Sequence, residues 1–296
     1  MSVVRAVAVA TATLWTSSQA PRPIDLPSLG VPSEVREWAG QLLAPERLDL
    51  HGRVESQALL GDSVLVEEER DGWARVAVPT QPSSKEPAGY PGWIPSAQLI
   101  EWDRPSTDAA VVKVPTTVLH ESPAGSPAVI DVSFATTLPT AGPAQAGWQP
   151  VHLPGRPDPA WIAQADVDVG PRTVASARGL LQAADQFRGL PYLWGGTCGL
   201  GLDCSGLVHL VFRRFGITVP RDAHDQAAAA PRQMAPDEAI EGDLLFFAKP
   251  GQEIHHVGIA TGPGRMMHAP ETGRGVSEEA LSANRLKQLV SAGRWG

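Results

Sequence analysis

One residue pattern occurs twice in the N-terminal half of this chain, and it restricts how that half can fold. Gly72-Trp73-Ala74-Arg75-Val76 leads to Val78-Pro79 and then Gly92-Trp93-Ile94. The second copy reads Gly147-Trp148-Gln149-Pro150-Val151, then Leu153-Pro154 and Ala160-Trp161-Ile162. Short apolar stretches precede the copies, Val64 to Val66 in one and Val129 to Phe134 in the other. Two like segments imply two like folded units. Short strands between closely spaced turn residues predict two small β-barrels, with Trp73, Trp93, Trp148 and Trp161 packed in their cores. The 28 Pro and 29 Gly among 296 residues agree with many turns and few long helices.

Met1 to Ala20 carries one basic residue, Arg5, and an apolar run from Ala6 to Leu14 broken by Thr11 and Thr13. A secretion signal needs a basic start, a continuous apolar stretch and a small-residue cleavage site. This segment reads instead as a β-strand running into the Pro21-Arg22-Pro23 turn, so a cytoplasmic protein is expected. No apolar run is long enough to span a membrane. A net charge of −8 argues against a nucleic-acid partner, which requires clustered Lys and Arg. Two cysteines, Cys198 and Cys204, are too few for a disulfide scaffold, so free thiols are expected.

Beyond Gly170-Pro171 the texture changes. From Thr173 to Phe187, apolar residues recur at helical spacing of three and four until Gly189 and Pro191. A second helix is expected at Cys204, followed by strands at Asp243–Phe247, His256–Ala260 and Met266–Ala269. Helices on an antiparallel sheet make an α+β domain. The expected organisation is therefore two barrels, 1–104 and 105–170, and an α+β domain, 171–296.

The chemistry gathers in this last part. Asp203 suits a helix N-cap, which places Cys204 in the first turn, where the positive end of the helix dipole lowers a thiol's pKa. A cysteine nucleophile needs a histidine within reach and a third group to orient it. His255, His256 and His268 are the candidates. Neighbours on a strand face opposite ways, so His255 and His256 cannot both face Cys204. Thr261-Gly262-Pro263-Gly264-Arg265 is a turn signal, and the hairpin it makes can bring His256 and His268 onto one face. Cys204, His256 and His268 as metal ligands is rejected, because no closely spaced ligand pair occurs. No metal and no cofactor are expected. His51, His120, His152, His209 and His224 read as structural or surface residues.

The repeated Gly-Trp pattern resembles the bacterial SH3-like domain. Tyr192-x-Trp194-Gly195-Gly196, Asp203-Cys204-Ser205-Gly206-Leu207, Pro220-Arg221-Asp222, Gly242-Asp243-Leu244-Leu245-Phe246-Phe247, His256-Val257-Gly258-Ile259 and Met267-His268-Ala269 follow in order. This series resembles the NlpC family of papain-like cell-wall cysteine peptidases across 171–296. The resemblance implies Cys204 as nucleophile, His256 as base, His268 as orienting residue and Tyr192 near the oxyanion. With two SH3-like domains in front, the chain is similar to γ-D-glutamyl-L-diamino-acid endopeptidases, which take peptidoglycan-derived peptides with a free N-terminal L-Ala. That similarity implies Asp222 as partner of the substrate ammonium, and Glu55, Tyr90, Asp203, Ser205 and Trp194 as further substrate contacts. A carboxylate is the right group for a buried ammonium. Asp222 read blandly is a cap for the helix that starts at Ala223. Two other functions remain open on this scaffold: an amidase or acyltransferase, and a non-catalytic wall-binding protein.

Overall fold

The computed structural model describes residues 3–123, 127–172 and 174–295, and in it the N-terminal apolar run is two strands rather than one. Val3–Val7 pairs with Ser63–Arg70 and Leu99–Ile100. Thr11–Trp15, buried at every residue, pairs with Val54–Leu59 and meets Tyr90–Pro95. A turn at Ala8 to Ala10 separates them, because the run feeds two different places in one sheet. That sheet has seven strands in the order Val54–Leu59, Thr11–Trp15, Tyr90–Pro95, Trp73–Val78, Ser63–Arg70, Val3–Val7 and Leu99–Ile100. Two short helices, α1 (Val35–Gln41) and α2 (Ala44–Leu48), are inserted before Val54–Leu59.

The second copy of the repeat forms two sheets. One has the order Ala128–Ser133, Thr116–His120, Ala160–Ala163 and Trp148–Val151; the other Thr137–Pro139, Ala109–Val112 and Val167–Val169. A lone bridge between Thr140 and Val151 joins them. The two small β units expected are present as sheets, and among the described residues no closed barrel forms in either. Register shifts at Leu14/Trp15, Val66/Glu68 and Ala128/Ile130 interrupt the ladders and bend the strands.

The tryptophans also depart from expectation. Only Trp93 is buried; Trp73, Trp148 and Trp161 are half-buried. The core of the first sheet is instead aliphatic, built from residues such as Val7, Leu14, Val64, Val76 and Ile94. Trp93 turns to the far face and joins Trp15, Trp38, Phe134, Phe187 and Phe212 in a core that all three parts of the chain share. A large aromatic with one polar edge suits such a seam.

In the third part, α3 (Ala177–Asp185) begins after Ser176, whose hydroxyl accepts from the Gly179 amide at 3.1 Å. The expected start at Thr173 lies outside the described residues. Next come α4 (Cys204–Arg214), α5 (Ala223–Ala229) and α6 (Ala283–Gln288). The antiparallel sheet runs Arg232–Met234, Leu289–Arg294, Leu244–Ala248, Ile254–Gly262, Arg265–His268 and Ser277–Ala280. Helix α4 packs on its Ile254–Gly262 strand, giving the α+β arrangement expected. Apart from half-buried Arg213, every residue of α4 is buried, so it is the central helix. Its last turn is tied to both β units, Arg213 pairing with Asp62 and Arg214 with Asp168. Cations at a helix C-terminus also complement the helix dipole. No helix among the described residues is long and apolar enough to cross a membrane.

Candidate active site

The first turn of α4 is held by a buried ionic network. Asp203 is its N-cap, and the carboxylate accepts from the amides of Gly206 at 2.7 Å and Gly195 at 2.9 Å. Arg221, 1% exposed, donates to both Asp203 oxygens at 3.0 and 2.7 Å and to Ser205 Oγ at 3.0 Å. It also reaches Ser56 of the first sheet at 2.9 Å and Thr197 at 3.1 Å. Asp203 and Ser205, expected as substrate contacts, line the cleft but spend these hydrogen bonds on the scaffold. Close packing explains the glycines. A Cβ at Gly199 would overlap the Pro115 carbonyl of the second β unit, and one at Gly206 the Gly196 carbonyl.

Cys204, on this turn, is 7% exposed. Burial, then the neighbouring Asp203 charge, pushes its thiol up to about 12. The Val257 amide and Arg221 oppose this. The expectation of a depressed pKa is therefore corrected: desolvation and a like charge outweigh the helix terminus. Cys198 is fully buried and also a free thiol.

The histidine hairpin falls on one face. Ile259 opposes Met267 and Ala260 opposes Met266, which places His256 Nε2 2.8 Å from His268 Nδ1. His256 and His268 are 4% and 1% exposed, while His255 is exposed. Burial, then Arg285, holds His256 well below the usual histidine value, and burial lowers His268 to about 4. Behind His268, its Nε2 lies 3.5 Å from Glu279 Oε2. A proton on that nitrogen leaves Nδ1 free to accept from His256 Nε2–H. His256 Nδ1 is then unprotonated, as a base requires.

Cys204 stands where two cavities meet, together with His51, Tyr192, Trp194 and His255. The larger, about 810 Å³, holds His256 and the cations Arg47, Lys249, Arg274 and Arg285. Arg47 of α2 donates to the Tyr192 carbonyl at 2.8 Å, and Trp194 Nε1 donates to the Val54 carbonyl at 3.0 Å. Both aromatics are thereby positioned by the first β unit. Burial, then Cys204, keeps the Tyr192 phenol well above its usual range, so it remains a donor.

The smaller cavity, about 450 Å³, ends in an acidic pocket. Tyr90 Oη donates to Asp222 Oδ2 at 2.9 Å, and Glu55 Oε2 lies 3.4 Å away. Burial, reinforced by Asp222, keeps Tyr90 protonated. Asp222 occupies the N-cap position of α5 without a capping side-chain bond, so the bland reading of a cap is corrected. Lys85 Nζ donates to Glu55 at 2.5 Å. Among the described residues, Asp222, His224 and Asp225 have donor atoms within 4.8 Å of one another. Asp222 and Asp225 accept hydrogen bonds from the Tyr90 hydroxyl and the Ser84 amide.

Arg221, Lys85, Glu279 and His51 were not singled out from sequence for these places. Arg221 stands beside Asp222 in a quoted motif, and that adjacency was the available signal. His51, expected as a structural or surface residue, is exposed and packs against Trp194 with ring centroids 4.2 Å apart and planes tilted by 56°.

Comparison with known proteins places this geometry. The NlpC/P60 family pattern matches residues 189–294. The chain is 37% identical over 273 residues to a γ-D-glutamyl-L-lysine dipeptidyl-peptidase of Bacillus subtilis, covering 90% of each. It is 34% identical over 280 residues to its Bacillus cereus namesake, covering 90% of this chain and 83% of the relative. A crystal structure of an NlpC/P60 family protein from Bacillus cereus superposes with a TM-score of 0.94 at 32% identity, over 99% of both chains. The chain belongs to the NlpC/P60 family.

Proposed function

We propose that this chain is a cysteine peptidase that hydrolyses the γ-D-glutamyl-L-diamino acid bond of peptidoglycan stem peptides bearing a free N-terminal L-Ala. The observation that carries this reading is Cys204 at the junction of an acid-ended cavity and a cavity holding His256. The dipeptidyl-peptidases it resembles are named for a bond of this kind. The two β units, 1–104 and 105–170, are read as SH3-like domains that shape the cleft ahead of the 171–296 catalytic domain.

The peptide's ammonium enters the pocket of Asp222, Glu55 and Tyr90, which puts the γ-carbonyl of D-Glu at Cys204. The thiol passes its proton to His256 Nδ1 as sulfur attacks that carbonyl. Oxygen charge is met by a backbone amide at the start of α4, ahead of the Gly206 amide that Asp203 caps, and by the Tyr192 hydroxyl. His256 protonates the departing amine of the diamino acid, the C–N bond breaks, and a thioester remains. Water, deprotonated by His256, hydrolyses it and frees L-Ala-D-Glu. The leaving residue occupies the larger cavity, whose cations suit its carboxylates. His268 and Glu279 hold the His256 tautomer.

The test is mass spectrometry of L-Ala-γ-D-Glu-L-Lys and its diaminopimelate analogue after incubation with wild-type and Cys204→Ala protein. Release of L-Ala-D-Glu is expected, reduced by about 10³-fold or more in the variant. Cleavage elsewhere, or an unaffected variant, would overturn the reading.

A further inference from the structure

The pocket assigned above to the peptide's N-terminus already holds an ammonium group of the protein itself. Lys85 Nζ lies 2.5 Å from Glu55 Oε2, 2.7 Å from Tyr90 Oη and 3.7 Å from Asp222 Oδ2. One cation therefore contacts all three groups of the pocket. It also stands 4.5 Å from the centre of the Tyr90 ring, a favourable place for a positive charge.

The backbone that leads into Lys85 is fixed at three residues. The Ser84 amide donates to Asp225 at 3.0 Å, and the Arg221 amide donates to the Pro82 carbonyl at 3.1 Å. Gln81 donates to the Gln57 carbonyl at 2.7 Å. The side chain is free in a way the loop is not. It is 39% exposed and reaches the pocket from the mouth on a flexible four-carbon stem. A second ammonium bound to the same oxygens would lie close to Nζ, and like charges at that separation repel.

We propose that Lys85 is a specificity determinant of the amine pocket: its ammonium holds the place of the peptide's α-ammonium, and only a ligand bringing its own cation displaces it. The proposal rests on the peptidase reading above. A free N-terminus exchanges one ion pair for another while Lys85 swings out to water. A neutral N-terminus offers Glu55 and Asp222 no replacement charge, so the lysine stays. The exchange weakens ground-state binding of the correct peptide and leaves the chemical step at Cys204 untouched. Lys85 thus acts through the pocket, without touching the reacting atoms.

Lys85→Met keeps the stem and the loop anchors and removes the charge. Two measurements test it: steady-state kinetics on L-Ala-γ-D-Glu-L-Lys, and calorimetry of L-Ala-γ-D-Glu binding to Cys204→Ala protein with and without Lys85→Met. KM and the dipeptide Kd are expected to fall by about two- to fivefold, the size of one half-exposed ion pair, with kcat unchanged. Lys85→Gln should move both in the same direction. Unchanged binding would overturn the proposal by showing that the lysine leaves at no cost. Weaker binding would overturn it by making Lys85 part of the peptide-binding wall. Wild-type protein that neither cleaves the tripeptide nor binds the dipeptide would instead overturn the peptidase reading, and the proposal with it.

Discussion

Burial acts on the reacting groups in opposite directions, raising the Cys204 thiol and lowering both histidines, so the resting site holds a neutral thiol beside neutral imidazoles. Proton transfer then belongs to the attack itself. His256 must be unprotonated to act as base, and its pKa is displaced below 6.5. Its neutral form therefore persists as pH falls through 6.5 and is lost only at lower pH. The acid limb of kcat/KM is expected to have its midpoint below pH 6.5; a midpoint at or above that value contradicts the buried base. Arg221 supplies a second test at this scale. Replacing it by Met strands the buried Asp203 carboxylate, and chemical denaturation should report a loss of about 3–5 kcal/mol. A loss under 1 kcal/mol would mean that Asp203 finds another partner or takes up a proton. Arg221, Asp203 and Ser205 lay in motifs legible from sequence, but their pairing, and the tie to Ser56, did not show there. Ser56 and Asp203 are 165 and 18 residues away from Arg221, distances at which a single sequence carries no pairing signal.

The catalytic elements are short and local, and this is why they were readable. An N-cap before an apolar stripe gives α4, and a Gly-Pro-Gly turn between two histidine strands gives the hairpin. What could not be read is how these elements meet the β units. Gly199 lies in the loop before Cys204, and its missing side chain is what lets that loop lie on the Pro115 carbonyl. Gly199→Ala forces loop or carbonyl to move, and a thermal or denaturant melt should show about 1–3 kcal/mol of destabilisation. A change within a few tenths would mean that the contact yields freely. The tryptophans failed for a related reason. The Gly-Trp repeat marks strands correctly, but which face each ring occupies depends on the neighbour, and Trp93 found its partners across the seam rather than in its own sheet.

At the level of the whole molecule, the cleft belongs to no single part of the chain. The third part supplies Cys204, His256 and Asp222; the first sheet supplies Glu55 and Tyr90, and the loop between its strands supplies Lys85. Arg47 and Val54 of the first part hold Tyr192 and Trp194 in place. A repeat-bearing N-terminal half thereby forms one wall of the cleft, and the resemblance to the dipeptidyl-peptidase runs along 90% of each chain rather than over residues 189–294 alone. The acidic pocket at one end of the cleft carries the proposal that substrate is recognised by a charged N-terminus before Cys204 cuts. The most direct measurement is kcat/KM for L-Ala-γ-D-Glu-L-Lys against its N-acetyl form. Losing the charge-assisted contacts predicts at least a tenfold preference for the free amine, from roughly 1.5–3 kcal/mol of lost interaction. Equal rates on the two peptides would contradict the account, because Asp222, Glu55 and Tyr90 would then have no part in choosing the substrate.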